Sequence, residues 1–205
     1  VLVIGAGVAG LQVMATAKKL GAIVSGYDVR TASKDEVKSV GATFIELDLP
    51  VVEGSGGYAK EMDQERTKLQ QELLTPHITA TDVLITTAAV PGRPAPRLVT
   101  SKMLAGMKPG SVIADMAAEN GGNVEGSVAG EITTTSGGVI IWGGKDVPSS
   151  LPFHASSLYS RNLLNLLTLI TTPAKDGASV ALNIDFEDEI VTASALTHNG
   201  SRRNS

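Results

Sequence analysis

The first ten residues constrain the fold more tightly than any other stretch of the chain. An apolar run, Val1-Leu2-Val3-Ile4, leads directly into Gly5-Ala6-Gly7-Val8-Ala9-Gly10, and a helix-patterned segment follows from Ala9 to Leu20. In such a strand, turn and helix the three glycines of G-x-G-x-x-G have separate tasks. Gly5 permits the tight turn, Gly7 lets backbone approach a pyrophosphate, and Gly10 lets the helix pack close to the strand. The helix N-terminus is then aimed at the anion. A glycine-rich turn without a ligand has the same local sequence, so the surroundings must decide. A second apolar run, Ile23 to Tyr27, ends in Asp28, 18 residues beyond Gly10. A carboxylate there accepts hydrogen bonds from the adenosine ribose hydroxyls and repels a 2′-phosphate, which predicts NAD rather than NADP. Arg30 reads as a surface or pyrophosphate-side charge while Asp28 stands beside it.

The rest of the chain continues the same rhythm. Strand-like runs at Val1–Ile4, Ile23–Tyr27, Thr43–Ile45, Val83–Thr86 and Ser111–Ala114 alternate with helical patterns at Ala9–Leu20, Ser33–Val40, Glu61–Leu74 and Thr100–Met107. Alternation with continuous apolar strands predicts an α/β fold, a doubly wound parallel sheet of Rossmann type covered on both faces. Two stretches interrupt it. Pro50 to Lys60, with Gly54, Gly56 and Gly57, has no apolar period and reads as a flexible loop. Gly121 to Gly144 carries three Gly-Gly pairs, between which Glu131–Thr135 and Val139–Trp142 read as late strands. A helical pattern covers Ser156 to Ile170 before a polar tail. The expected division is residues 1–154 as an NAD-binding Rossmann domain and 155–205 as a C-terminal segment with too little core of its own.

Composition removes several function classes. The formal net charge of -4, with no basic block, argues against nucleic acid as a partner. There are no cysteines, which excludes disulfides and thiolate chemistry, and His77, His154 and His198 stand too far apart to predict a metal site. The apolar stretches are shorter than the ~18 to 20 residues that span a bilayer. The chain opens without a methionine on what reads as an internal strand, and so reads as a piece of a larger protein.

Six segments together resemble a known family. They are Gly5 to Gln12, Tyr27 to Arg30, Gly57-Tyr58-Ala59-Lys60-Glu61-Met62, Thr86 to Pro96 with its Pro91-Gly92-Arg93-Pro94, Met107-Lys108-Pro109-Gly110-Ser111-Val112-Ile113, and Ala118-Glu119-Asn120-Gly121-Gly122-Asn123. Nearly the whole chain resembles the NAD(H)-binding component, domain I, of proton-translocating nicotinamide nucleotide transhydrogenases, a family that shares its fold with alanine dehydrogenase. The Pro91-Gly92 and Met107–Ile113 segments are common to both branches. Gly57 to Met62 resembles the transhydrogenase mobile loop, a lid absent from alanine dehydrogenases. Where that second branch has a catalytically important aspartate, in a segment like Ile-Asp-Gln-Gly-Gly, this chain has Ala118-Glu119-Asn120-Gly121-Gly122.

The resemblance implies a hydride passed directly between NAD(H) on this domain and NADP(H) on a partner, coupled in the full protein to proton translocation. It implies that Gly5, Ala6, Gly7 and Val8 hold the pyrophosphate and that Asp28, Val29 and Arg30 surround the adenosine ribose. Gly57 and Tyr58 would close the lid, and Thr87, Ala88 and Ala89 would line the nicotinamide side. No side chain is expected to act as acid, base or nucleophile. The implied partners are the NADP(H)-binding component, the membrane domain of the same complex and a second copy in a homodimer. The implied location is a peripheral domain of an inner-membrane complex, on the bacterial cytoplasmic or mitochondrial matrix face, inactive as an isolated piece. Two alternatives stay open: an alanine-dehydrogenase-like amino-acid oxidoreductase, and an NAD-sensing module without catalysis.

Overall fold

Leu2, Val3 and Ile4 form a strand, β1 (Leu2–Ile4), in which every residue is buried, as a strand covered on both faces requires. Successive side chains point to opposite faces. Accordingly Leu2 and Ile4 join one core cluster with Leu74, Ile78, Leu84, Met103 and Ile113, while Val3 joins another with Met14, Val24 and Val37. The computed structural model describes residues 1–49, 64–90, 92–173 and 180–203. They divide into two compact units, Val1–Val147 and Pro148–Ser205. Gly57 and Tyr58 lie outside the described residues.

In the first unit β1 is followed by α1 (Val8–Lys19), β2 (Ser25–Tyr27), α2 (Ser33–Ser39), β3 (Thr43–Phe44), α3 (Gln64–Thr79) and β4 (Val83–Thr86). Next come α4 (Ser101–Ala105), β5 (Val112–Asp115), β6 (Ile132–Thr134) and β7 (Ile140–Gly143). The seven strands form one sheet in the order β3-β2-β1-β4-β5-β7-β6. All neighbours are parallel except β6 and β7, which pair antiparallel. The expected parallel sheet therefore has one reversed edge strand, for a simple reason. Only residues 135–139 separate β6 from β7, too few for a crossover, and Gly138 at φ +78° helps turn the chain back.

The helix read as Glu61–Leu74 continues to Thr79, through Pro76. Gln70, Leu74 and Ile78 are each fully buried at four-residue spacing, so the buried stripe extends past the proline and carries the helix with it. Strand order reverses between β1 and β4: one neighbour of β1 is β2, and the other is a strand more than fifty residues further along the chain. A crevice opens at the carboxyl ends of two such strands, where open α/β sheets bind ligands.

The second unit contains α5 (Pro152–Leu169), which starts at its proline as N1 geometry favours. An antiparallel pair follows, β8 (Thr171–Pro173) with β9 (Val180–Leu182). Asp188 caps α6 (Glu189–Ser194) through Oδ1, which accepts from the N–H groups of Ile190 and Val191. A hairpin, β10 (Thr197–His198) and β11 (Ser201–Arg202), closes through Asn199-Gly200, both at positive φ as a two-residue turn demands. The Arg203 guanidinium lies 3.5 Å from the centre of the Phe186 ring. No residue of α5 is buried among the described residues, and Phe153, Leu158, Leu164 and Leu167 are exposed. Among the described residues no helix is long and apolar enough to cross a membrane.

Candidate functional site

The three motif glycines differ in what surrounds them. Gly5 adopts φ +102°, and a Cβ there would lie 2.6 Å from Thr87 Oγ1 and 3.0 Å from the Ala88 nitrogen. A Cβ on Gly10 would collide with the Gly5 carbonyl oxygen. A Cβ on Gly7 would meet no described atom within 4 Å beyond its chain neighbours and its own helix, so that side of the residue faces open space. Gly7 is also the N-cap of α1, and no side chain among the described residues caps that end. The first turn has no acidic residue, whereas Lys18 and Lys19 occupy the last. The uncapped N–H groups and the helix dipole favour an anion at this end.

Asp28 sits at the end of β2 and its side chain is only 8% exposed. Its Oδ2 accepts from the Ala6 N–H at 2.7 Å, and its Oδ1 from the Arg30 backbone N–H at 2.9 Å. The Arg30 guanidinium grips the same carboxylate with Nε to Oδ1 at 3.0 Å and Nη2 to Oδ2 at 3.2 Å, and Nη2 also reaches the Ala6 carbonyl at 3.4 Å. Hydrogen bonding to Asp28 holds the guanidinium more firmly protonated than usual. The two residues expected around the ribose are thus paired with each other and joined to the glycine turn. Thr87 makes the corresponding tie from β4. Its N–H donates to the Ile4 carbonyl at 2.8 Å and its hydroxyl to the Gly5 carbonyl at 3.1 Å.

These pieces surround a cleft of about 860 Å³. Gly5, Gly7, Asp28, Val29, Arg30, Thr87, Ala88 and Ala89 all line it. Ala6 and Val8 do not: the Ala6 side chain is buried in the α1 core and Val8 is 90% exposed. A second, more open pocket of about 640 Å³ adjoins at Ala89, Val90, Arg93 and Pro94 and extends to Asn120 and Gly121. From α3, Gln70 lines the main cleft beside Tyr27. Its Nε2 donates to the Tyr27 hydroxyl at 3.0 Å, and its Oε1 is buried with no partner among the described residues. Burial pushes the Tyr27 phenol up to about 12, with the nearby Asp28 charge adding to the effect. Arg97, also on the wall, donates to the carbonyls of Val124 and Gly121. Among the described residues no group of three His, Cys, Asp or Glu could hold a metal ion.

The model for the C-terminal domain of the alanine dehydrogenase/PNT family matches residues 1–205. The chain belongs to this family. It is 48% identical over 201 residues to the NAD(P) transhydrogenase subunit alpha of Haemophilus influenzae, covering 98% of this chain and 38% of the relative. It is 41% identical over 204 residues to the NAD(P) transhydrogenase subunit alpha of Cereibacter sphaeroides, covering 98% of this chain and 38% of the relative. Among solved structures, a transhydrogenase from Sinorhizobium meliloti matches with a TM-score of 0.77 and 47% identity, over 98% of this chain and 51% of that one. The chain thus spans about half, or less, of each of these relatives.

Motif spacing marks the glycine turn, the end of β2 and the end of β4 and includes Asn123 only as a member of a segment, while it marks none of Gln70, Arg97 and Asp115. Gln70 had a signal: a polar residue in register with Leu74 and Ile78 on one helix face belongs to the buried stripe. Arg97, Asp115 and Asn123 bond to partners that only the folded chain brings near.

Proposed function

We propose that this chain is the NAD(H)-binding component of a transhydrogenase, an oxidoreductase that exchanges a hydride between NAD(H) held here and NADP(H) held on a partner. The observation that carries the reading is that the open side of Gly7, the uncapped start of α1 and the Asp28–Arg30 pair all converge on one cleft at the reversal of strand order. An extended dinucleotide fits that arrangement, with its anionic centre at the helix end and a ribose toward β2. A Cβ at position 7 would take up the open space there, and glycine supplies none.

In this reading the bound dinucleotide supplies the hydride, and NADH plus NADP⁺ become NAD⁺ plus NADPH with no water consumed. The chain's own residues bind and orient. The N–H groups of the Gly7 turn meet the pyrophosphate, Asp28 shares its carboxylate with the ribose hydroxyls, and Thr87 to Ala89 form the wall on the nicotinamide side. Gly57 and Tyr58, by their motif, close over the nucleotide and exclude water. Positioning accounts for most of the rate, since two correctly held rings react without acid or base catalysis. The second unit, whose α5 leaves apolar side chains exposed, belongs with a further domain of the whole protein. The whole protein is a homodimeric, peripheral part of a proton-translocating membrane complex.

The test is hydride exchange. The full-length protein containing this chain, mixed with an NADP(H)-binding transhydrogenase component, should reduce an NADP analogue at the expense of NADH and should not oxidise alanine. Alanine-dependent NADH formation would move the chain to the amino-acid oxidoreductase branch, and silence in both assays would leave a nucleotide sensor.

A further inference from the structure

Behind the cleft wall, one side chain joins stretches that are far apart in sequence. Asn123 is fully buried, and its Nδ2 donates to the carbonyls of Ala88 and Pro96, each at 2.8 Å. Its backbone N–H donates to Asp115 Oδ1 at 3.2 Å, and its carbonyl accepts from the N–H groups of Leu98 and Val99 at 2.9 and 3.0 Å. Asp115, also fully buried, anchors the arrangement by accepting from Thr86 Oγ1 and from the backbone N–H groups of Ala117 and Val124.

The amide spends both of its hydrogens on two carbonyls. Ala88 and Pro96 both line the cleft, one from the stretch leaving β4 and the other from the return toward α4. Asn123 Oδ1 is left buried with no partner among the described residues. Turning the amide over would set that oxygen against two carbonyl oxygens, so the orientation is fixed. An unpaired buried acceptor is destabilising, and an apolar side chain would avoid it while abandoning both donated bonds. On the other side of the wall, the Ala88 nitrogen is packed so close to Gly5 that a Cβ on Gly5 would lie 3.0 Å away. Asn123, through Ala88, thus braces the wall from behind, while Thr87 ties it to Ile4 and Gly5 in front.

We propose that Asn123 is a positioning residue for hydride transfer: without lining the cleft, it sets the placement of the nicotinamide-side wall through Ala88 and Pro96. The inference rests on the proposed function. A displacement of reacting atoms by about 1 Å can slow a reaction on the order of a hundredfold, whereas the adenosine end is held separately by Asp28 and the α1 turn.

The test compares wild type with Asn123→Asp and Asn123→Ser in the full-length protein and its NADP(H)-binding partner. Asn123→Asp keeps the shape and turns an oxygen toward the two carbonyls; Asn123→Ser keeps one donor. Single-turnover hydride transfer should fall at least tenfold in both. The dissociation constants of NADH and of ADP-ribose, which lacks the nicotinamide, should stay within threefold of wild type. In Asn123→Asp the rate relative to wild type should recover as pH falls, because a protonated carboxyl can donate to one carbonyl again. A rate within twofold of wild type in the folded variants would overturn the proposal. So would a parallel loss of ADP-ribose affinity, or failure of both variants to fold, since a general structural role would then suffice. Absence of transfer in wild type would instead remove the functional reading itself.

Discussion

Asp28 Oδ2 accepts a hydrogen bond from the Ala6 N–H at 2.7 Å, which ties the end of β2 to the glycine turn at the end of β1. The carboxylate therefore holds the turn in shape, and in the proposed function it also faces the ribose. Asp28→Asn keeps one acceptor oxygen and loses the charge that Arg30 grips. It should weaken NADH binding by about 1–3 kcal/mol, the scale of a lost charge-assisted hydrogen bond. Calorimetric titration with NADH and with ADP-ribose should show the same loss for both, and unchanged affinities would remove Asp28 from the ribose site.

The packed and open positions of the glycine motif can be separated by substitution. Gly10→Ala forces a Cβ into the Gly5 carbonyl and should lower stability by roughly 1–3 kcal/mol or more. Gly7→Ala meets no described residue within 4 Å, so it should leave the denaturation midpoint nearly unchanged while weakening NADH binding. Paired denaturation and binding curves on the two variants check this; equal losses of stability would contradict it.

Tyr27 supplies a pH signature. Its phenol is pushed to about 12 in the folded chain, from an ordinary value of 10.0. A raised phenol pKa means that the folded state keeps its proton where the unfolded state has lost it. The associated stability is fully present below pH 10 and is lost as pH rises from about 10 toward 12, by roughly 2–3 kcal/mol in all. Tyr27→Phe should flatten that part of the profile when unfolding is followed against pH, and an identical alkaline decline in the variant would show that other groups cause it.

Tyr58→Ala addresses the lid inferred from the Gly57–Met62 motif. It should slow hydride transfer more than it weakens NADH binding, because a closing loop acts mainly by excluding water and completing the site. Stopped-flow transfer rates beside equilibrium titrations measure both, and an unaltered rate would dismiss the gate.

Local physics explains which features could be read in advance. Gly5, Gly7, Gly10 and Asp28 follow from backbone geometry repeated at fixed spacing, so their placement around one turn was legible from the sequence. The order of elements in the first unit was legible too, because apolar runs and helical periods mark strands and helices directly, whereas the stretch read as a polar tail holds β8, β9, α6, β10 and β11. The reversal of β6 was hidden, although the short connection between Thr134 and Ile140 carried the information. Asn123 was illegible as anything but a member of a motif. Its importance comes from two carbonyls, at Ala88 and Pro96, that no spacing rule places beside it. The Asp28–Arg30 pairing lies between: spacing marks the two residues, but their grip on each other depends on side-chain conformation.

In the proposed function, that grip bears on how readily a nucleotide comes and goes. A carboxylate that already has a guanidinium and two backbone N–H groups is never left bare when a ligand departs. Binding exchanges one set of hydrogen-bond partners for another, so the gain on arrival and the penalty on departure both shrink. If the chain acts as the proposed transhydrogenase component, such self-neutralisation favours rapid exchange of the dinucleotide over tight retention.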